Sequence, residues 1–400
     1  MGIKGLMKFI NDRAPRAIKQ VELQNYTGRK LAIDASMSLY QFMIAIRDGE
    51  NFSNLTNEQG ETTSHIAGFL NRVIRFLDAG IKPVYVFDGK PGQLKSGELL
   101  KRANKRAQAE ADLKEAQEAG NKDDIKKFIG RTVHVTRKHN EDIKRLLALM
   151  GIPVVEAATD AEATCAALAK KGFVYGTGTD DADALTFGTP VQVRHLNLSE
   201  QKVRGNPIVE VNLAILLEDL QVTMDQFIDF CILCGCDYCD SIKGIGPETA
   251  FKMVKEHKDI DTIVEKLKAK GTQLPEEGSF DFKAVRQFFQ DPPVASVENA
   301  KELESKEPDL EGLKKFLVEE NSFSEKRFES AAERLKKARQ KASQTRLENF
   351  FGAAVVKVNE KRVKKEKEAA AKAKAEAKAK AAQKRKAAAA ANQENKKPKA

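Results

Sequence analysis

Three apolar runs, each reaching an acid, set the pattern of this chain: KLAID ends on Asp34, VYVFDG holds Asp88, and FVYGTGTDDAD carries Asp181 and Asp183. With helical periodicity between them, these runs predict strands of a largely parallel α/β sheet, whose ligands bind beyond the carboxyl ends. Asp34, Asp88 and Asp181 then share one edge. Between the first two runs, Ile66, Phe69, Leu70, Val73, Ile74 and Leu77 recur at helical spacing and predict a helix over His65 to Leu77, closed near Gly80. Arg72 and Arg75 fall on its polar face, where either water or a phosphate is the partner.

From Pro91 to about Arg137 the pattern changes. Lys95, Lys101, Arg102, Lys105 and Arg106 come first, and Leu113 is almost the only large apolar residue of the helix that follows. A helix without an apolar stripe cannot pack along a core, so this segment projects or bridges. It is either a plain solvated hairpin or, given its basic content after Asp88, a device that holds a strand near that edge. His139 to Met150 then predict a helix stopped by Gly151, IPVVE a strand, and Asp225 to Cys234 an amphipathic helix that delivers Gly235 and Asp237. Gly244-Ile245-Gly246-Pro247 is a turn with Pro opening a new helix. Its N–H groups suit a phosphate, although a simple helix start explains it as well.

Short helical segments follow to about Arg339. In QTRLENFF, Gln344, Leu347, Phe350 and Phe351 line one side of a single turn beside a low-complexity tail, a pattern for docking on a partner. From Lys361 the Ala/Lys/Glu repeats lack an apolar face and predict disorder. KRVKK and KRK are nuclear-import candidates of low specificity.

Composition narrows the classes. A hydrophobic content of 41% over 400 residues supports a sizeable core in two or more lobes. No run approaches the eighteen or so apolar residues of a membrane span. The start, MGIKGLMKFI, is too polar for a secretory signal, and Leu6 stands where myristoylation needs Ser or Thr. The net charge of +10 is uneven: residues 357–400 hold sixteen Lys or Arg against five Glu, which leaves the body near −1. Any grip on nucleic acid therefore comes from local basic patches, with the tail adding a diffuse attraction. Cys231, Cys234, Cys236 and Cys239 have a spacing that invites zinc or iron–sulfur, but Cys231 and Cys234 sit in FIDFCILC as small apolar residues.

The stretch from Thr159 to Asp183 carries the chemistry. Asp160 and Glu162, then Asp181 and Asp183, are four acids that repel one another unless cations sit among them. An all-carboxylate site calls for a hard divalent metal, and magnesium works with substrate phosphates. The competing reading makes Thr159 and Glu162 a capping box for the alanine-rich helix that follows.

Together MGIKGL, GRKLAIDASMSLYQF, GETTSHIAGF, KPVYVFDGKP, QLKSGELLKR, DAEATCAAL, DALTFG, DYCDSIKGIGP and QTRLENFF closely resemble the structure-specific 5′-nuclease family, in its eukaryotic flap endonuclease branch, from Met1 to about Phe351. The resemblance implies a PIN-like 5′-nuclease fold: a mixed, largely parallel central sheet flanked by helices, with a helical arch, a helix–two-turn–helix element and a disordered basic tail. It divides the chain into a nuclease region at 1–106, an arch linker at 107–123, an internal nuclease region at 124–257, a helical region at 258–342, a sliding-clamp motif at 343–351 and a tail at 352–400. It further implies two magnesium ions held by Asp34, Asp88, Asp160, Glu162, Asp181, Asp183 and Asp237. Lys95 and Arg102 stabilise the scissile phosphate, with Tyr40 stacking on a base. Arg47, Arg72, Arg194, Gly235, Asp160 and Asp237 lie at DNA-contact positions. Gly2 sits near the site once the initiator Met is removed, potassium binds at the GIGP turn, and Gln344, Leu347, Phe350 and Phe351 dock the trimeric sliding clamp.

The implied activity is cleavage at the base of 5′ flaps with 5′–3′ exonuclease action, by a monomer in the nucleus, including the nucleolus, with mitochondria a further compartment. Rival readings are a 5′ exonuclease or junction resolvase of the same family, and a non-catalytic clamp-bound scaffold. Two departures stand out. Asp160 replaces the usual Glu, one methylene shorter, which points to a metal contact through water. Glu248 and Thr249 follow GIGP where the family is usually basic, which predicts a weaker grip on duplex.

Overall fold

The computed structural model describes residues 2–45, 55–196, 207–276 and 278–341. Arg47, the clamp motif and the tail lie outside these residues. Among the described residues a seven-stranded sheet runs in the order β1-β7-β6-β5-β2-β3-β4. Its strands are β1 Ile18–Val21, β2 Lys30–Asp34, β3 Lys82–Phe87, β4 Val154–Glu156, β5 Gly176–Gly178, β6 Val191–Arg194 and β7 Ile208–Asn212. β6, β5, β2, β3 and β4 are mutually parallel; β7 pairs antiparallel with β6, and β1, antiparallel with β7, closes that side. The parallel strands expected from the apolar runs are observed, within the mixed, largely parallel sheet that the resemblance implies.

One boundary differs. The apolar run Phe173–Val174–Tyr175 is not the third strand; the strand is Gly176–Gly178. Phe173 instead closes the preceding helix, with Gly172 at φ +71° and the Phe173 amide donating to Leu168 O at 3.1 Å, while the Tyr175 amide donates to Lys30 O at 2.8 Å and leads into the strand. The strand is small because its neighbours press on it: a Cβ on Gly176 would lie 2.6 Å from Val191 O, and one on Gly178 2.7 Å from Leu196 Cδ1.

The helices follow the polar and apolar alternation. After α1 Leu6–Arg13 and α2 Ala35–Ala45 comes α3 Ser64–Asp78, which buries Ile66, Phe69, Leu70, Val73 and Ile74 as predicted. The segment after Asp88 is a helical hairpin of α4 Ser96–Glu118 and α5 Lys122–Arg131. α4 packs on α5 with few large apolar side chains, Leu99 and Leu100 being exposed, and its buried residues are the small Ala109 and Ala116. The Asn121 side chain caps α5 by accepting from the Asp123 and Asp124 amides. α6 Arg137–Leu149 is opened by a reciprocal Thr136–His139 capping box. α7 Ala161–Lys170, α8 Asp183–Thr186, α9 Leu213–Leu220 and α10 Met224–Cys234 follow.

α11 Pro247–His257, α12 Ile260–Ala269 and α13 Phe282–Gln290 pack with α1, α9 and α10 into one core around Phe9, Leu216, Phe227, Phe230 and Phe289. A second core joins β2, β3, α3 and α6 to α14 Leu310–Lys314 and α15 Glu325–Lys341 through Leu31, Tyr85, Leu146, Leu313 and Leu335. Asp229 on α10 is fully buried; its carboxylate accepts from Arg286 Nη2 at 2.7 Å and the Ile260 amide at 3.1 Å, tying α10, α12 and α13 together.

Candidate metal centre

All the site acids but Asp237 are delivered by the carboxyl end of a strand or the start of a helix. Asp34 ends β2 and caps α2, its Oδ1 accepting from the Met37 amide at 2.8 Å and its Oδ2 from Thr179 Oγ1 at 3.0 Å. Asp88 follows β3 directly; its Oδ1 accepts from the Ala161 amide at 2.8 Å, which ties it to the start of α7. Asp160 is the N-cap residue of α7 and Glu162 lies in its first turn. Asp181 and Asp183 follow β5, and the Asp183 amide donates to Asp181 Oδ1 at 3.0 Å at the start of α8. Asp237 lies in the loop after α10. Helix N-termini carry partial positive charge, so the starts of α2, α7 and α8 favour this gathering of acids.

The capping-box reading of Thr159 and Glu162 fails. The Thr159 hydroxyl donates to Pro293 O at 3.3 Å, and Glu162 turns toward the other acids. Carboxylate oxygens of Asp88, Asp160 and Glu162 lie within 4.8 Å of one another. Burial, then Asp88, pushes the Asp34 carboxyl up to about 8. Burial and the charges of Asp34, Asp181 and Asp88 raise Glu162, and burial with Asp181 and Asp237 raises Asp183. Six of the seven acids are thus electrostatically linked, and Asp160 shares Lys95 with them. Their crowding is costly without positive charge between them.

The donor set fits hard cations. Asp160 Oδ2, Glu162 Oε2 and Asp183 Oδ1 are buried and accept no hydrogen bond from the described residues, in a site built from carboxylates alone. Backbone crowding shapes the same spot: Gly2 has φ +72°, and a Cβ on it would lie 2.0 Å from Asp181 Oδ1 and 2.5 Å from Asp183 Oδ1.

Two cations from the hairpin base reach in. Lys95 Nζ donates to Asp160 Oδ1 and Arg102 Nη2 to Asp237 Oδ2. Although burial opposes it, Glu162 and Asp160 hold the Lys95 ammonium firmly charged. Lys95 also lies 5.6 Å above the Tyr238 ring. Gly235, at φ +103°, is packed against Lys4, whose amide donates to Gly235 O at 3.1 Å. Tyr40 is half-buried on α2.

Other expected positions lie differently. Arg72 is buried, not on a solvated face: its Nη1 donates to Leu196 O at 2.8 Å and its guanidinium lies 5.7 Å from the Phe42 ring centre. The helix turns it inward because Phe42 and Phe76 flank it. Arg194 ends β6, and burial lowers the pull of its guanidinium on its proton, against Asp180 and Asp181. Cys231 and Cys234 are buried in the core inside α10, which removes the four-cysteine metal reading.

Two supporting residues escaped the sequence reading. Thr179 bridges Asp34 Oδ2 and the Asp181 amide, and Gln192, fully buried, donates to the carbonyls of Thr179 and Asp181. No local signal marked them, because VQVR alternates apolar and polar residues and Gln192 reads as a solvent-facing position.

The chain is similar to known proteins over most of its length. The family models described as XPG N-terminal domain and XPG I-region match residues 1–109 and 151–237. Flap endonuclease 1-A of Sorghum bicolor is 53% identical over 353 residues, covering 88% of this chain and 90% of the relative. Flap endonuclease 1 of Plasmodium knowlesi (strain H) is 50% identical over 381 residues, and the chain spans 64% of that longer relative and 92% of itself. The solved flap endonuclease-1 from Methanococcus jannaschii superposes with a TM-score of 0.64 at 32% identity, over 84% of this chain and 99% of that one.

Proposed function

This chain belongs to the flap endonuclease family of XPG-type nucleases, and from that premise we propose that it hydrolyses a DNA phosphodiester at the base of a 5′ flap, with magnesium as cofactor. The observation that carries the reading is the cluster of Asp88, Asp160 and Glu162, with Asp34, Asp181, Asp183 and Asp237 electrostatically tied to it or to one another, beside two hairpin cations. Asp34, Asp88, Asp160 and Glu162 would hold one magnesium ion, and Asp181, Asp183 and Asp237 a second. Bound there, the ions would make a water nucleophilic at neutral pH and stabilise the leaving oxygen.

The chain's own groups position the substrate. Lys95 and Arg102 lie seven residues apart, two turns along one face of the hairpin base, and each is paired with a site acid. An arriving phosphate takes over these donors and so places its developing charge against preorganised cations. Tyr40 offers a ring on which a base beside the scissile bond can stack, and Gly235 is a further proposed DNA-contact position. Arg47, Arg72 and Arg194 remain proposed DNA contacts, with potassium at the GIGP turn holding the uncleaved strand. Specificity then comes from the shape and bending of branched DNA.

The same reading extends to 5′–3′ exonuclease action, to lagging-strand fragment maturation and long-patch base-excision repair, to clamp docking through Gln344, Leu347, Phe350 and Phe351, and to a nuclear monomer with a share in mitochondria. The test is a labelled double-flap DNA with and without magnesium, using the wild type and Asp181→Ala. Magnesium-dependent cleavage lost in the variant by more than a hundredfold is expected. Equal cleavage by both proteins, or none by either, overturns the reading, and binding without cleavage favours the scaffold.

A further inference from the structure

The loop that carries Asp237 also carries two thiols. Cys236 Sγ and Cys239 Sγ lie 3.8 Å apart, and neither is in a disulfide. A disulfide requires about 2.05 Å, so the sulfurs need to approach by less than 2 Å. The segment from Gly235 to Asp240 belongs to neither helix nor strand, so no ladder of backbone hydrogen bonds opposes that movement. Cys239 is half-buried and open to a small solute, whereas Cys236 is only 7% exposed.

What the two cysteines enclose matters. Asp237 pairs with Arg102, and Tyr238 packs 5.2 Å edge-on against Phe289 and 4.9 Å from Phe288, with Lys95 above its ring. Any ring closed by sulfur at 236 and 239 therefore contains a site acid and the platform beneath a site cation.

We propose that Cys236 and Cys239 form an oxidation site, which a hydroperoxide converts to a disulfide that displaces Asp237 and reversibly disables the acidic centre. In the first step Cys239 Sγ takes an oxygen from the hydroperoxide, the O–O bond breaks, and water or an alcohol leaves. In the second, Cys236 Sγ attacks Cys239 Sγ; the S–S bond forms, the S–O bond breaks, and hydroxide leaves with the Cys236 proton as water. Two electrons pass from the thiols to the hydroperoxide. A reducing thiol reverses the change. The Cys231 and Cys234 thiols, inside α10 and buried in the core, are spared.

The loss of cleavage rests on the nuclease reading above, whereas formation of the bond does not. The experiment treats the full chain with hydrogen peroxide, blocks free thiols with iodoacetamide, and maps peptides by mass spectrometry without reduction. Cleavage of double-flap DNA with magnesium is followed in parallel, before and after dithiothreitol. The expected result is a Cys236–Cys239 linked peptide, a rate lowered by roughly ten- to a hundredfold, recovery with dithiothreitol, and a Cys239→Ser variant that cleaves normally and resists peroxide. Alkylatable Cys236 and Cys239 after peroxide, a disulfide that leaves the rate unchanged, or equal inactivation of Cys239→Ser each overturns the proposal. Failure of the reduced wild type to cleave would instead count against the nuclease reading, and the peptide map would still decide the oxidation site.

Discussion

At Gly2 a missing side chain is a requirement. Its φ of +72° and the 2.0 Å between a built Cβ and Asp181 Oδ1 leave no place for even a methyl group beside two site acids. Gly2→Ala is therefore expected to lower magnesium-dependent cleavage by about a hundredfold, through displacement of Asp181 and Asp183, while the melting temperature shifts little. Wild-type rates in that variant would show that the acids tolerate the crowding. Asp160 makes the complementary point. Its shorter side chain gives Oδ1 to Lys95 and leaves Oδ2 buried and free of hydrogen bonds, so the site keeps an oxygen to offer. The acids themselves were legible as residues, because acids that close apolar runs are conspicuous. Thr179 and Gln192 were not, since nothing in their local pattern says that they face Asp34 and Asp181.

Among elements, the turn before α11 is followed by Glu248 and Thr249 where the family resemblance implies basic residues. Glu248 sits in the first turn of α11, where the helix dipole favours an acid, and it receives Arg13 Nε at 3.4 Å. With both side chains more than half exposed, that pair adds little to stability. Its larger effect is to put negative charge, and a neutralised Arg13, where a DNA backbone would lie. E248K/T249K should therefore bind duplex more tightly, with the salt dependence of log K steeper by about one for each phosphate gained and stability changed by less than about 1 kcal/mol. Titration of affinity against salt checks this, and an unchanged slope refutes it. The helical hairpin shows the same lesson from another side: its lack of an apolar stripe foretold that it leaves the core, but that α4 packs on α5 and buries the small Ala109 and Ala116 is not revealed by periodicity.

For the whole molecule, the acidic centre is a stored electrostatic cost. An acid whose carboxyl is pushed up on folding, as Asp34 is to about 8, keeps a proton in the folded state that the unfolded chain releases near pH 4. Stability is therefore fully present below about pH 4 for this group and is lost as pH rises toward 8. With a chelator present, the melting temperature is expected to fall between pH 6 and pH 8, and added magnesium should raise it more at pH 8 than at pH 6. Calorimetry at both values checks the sign. A flat or rising curve in chelator would mean that the acids do not strain the fold.

The chain's linear pattern alone determined the class of fold and the acids that close apolar runs, because period and strand-end acids are local properties of the sequence, whereas Lys95 and Arg102 stood out from the other hairpin cations only through the family resemblance. The pattern misplaced the third strand, whose glycines are small for the sake of Val191 and Leu196. It also put Arg72 on a solvated face that the fold buries between Phe42 and Phe76. Only the tertiary structure decided these, together with the seat of Gly2 against the acids and the nearness of Cys236 to Cys239. Each depends on which distant or folded-back surfaces come to face one another, and no spacing along the chain encodes that.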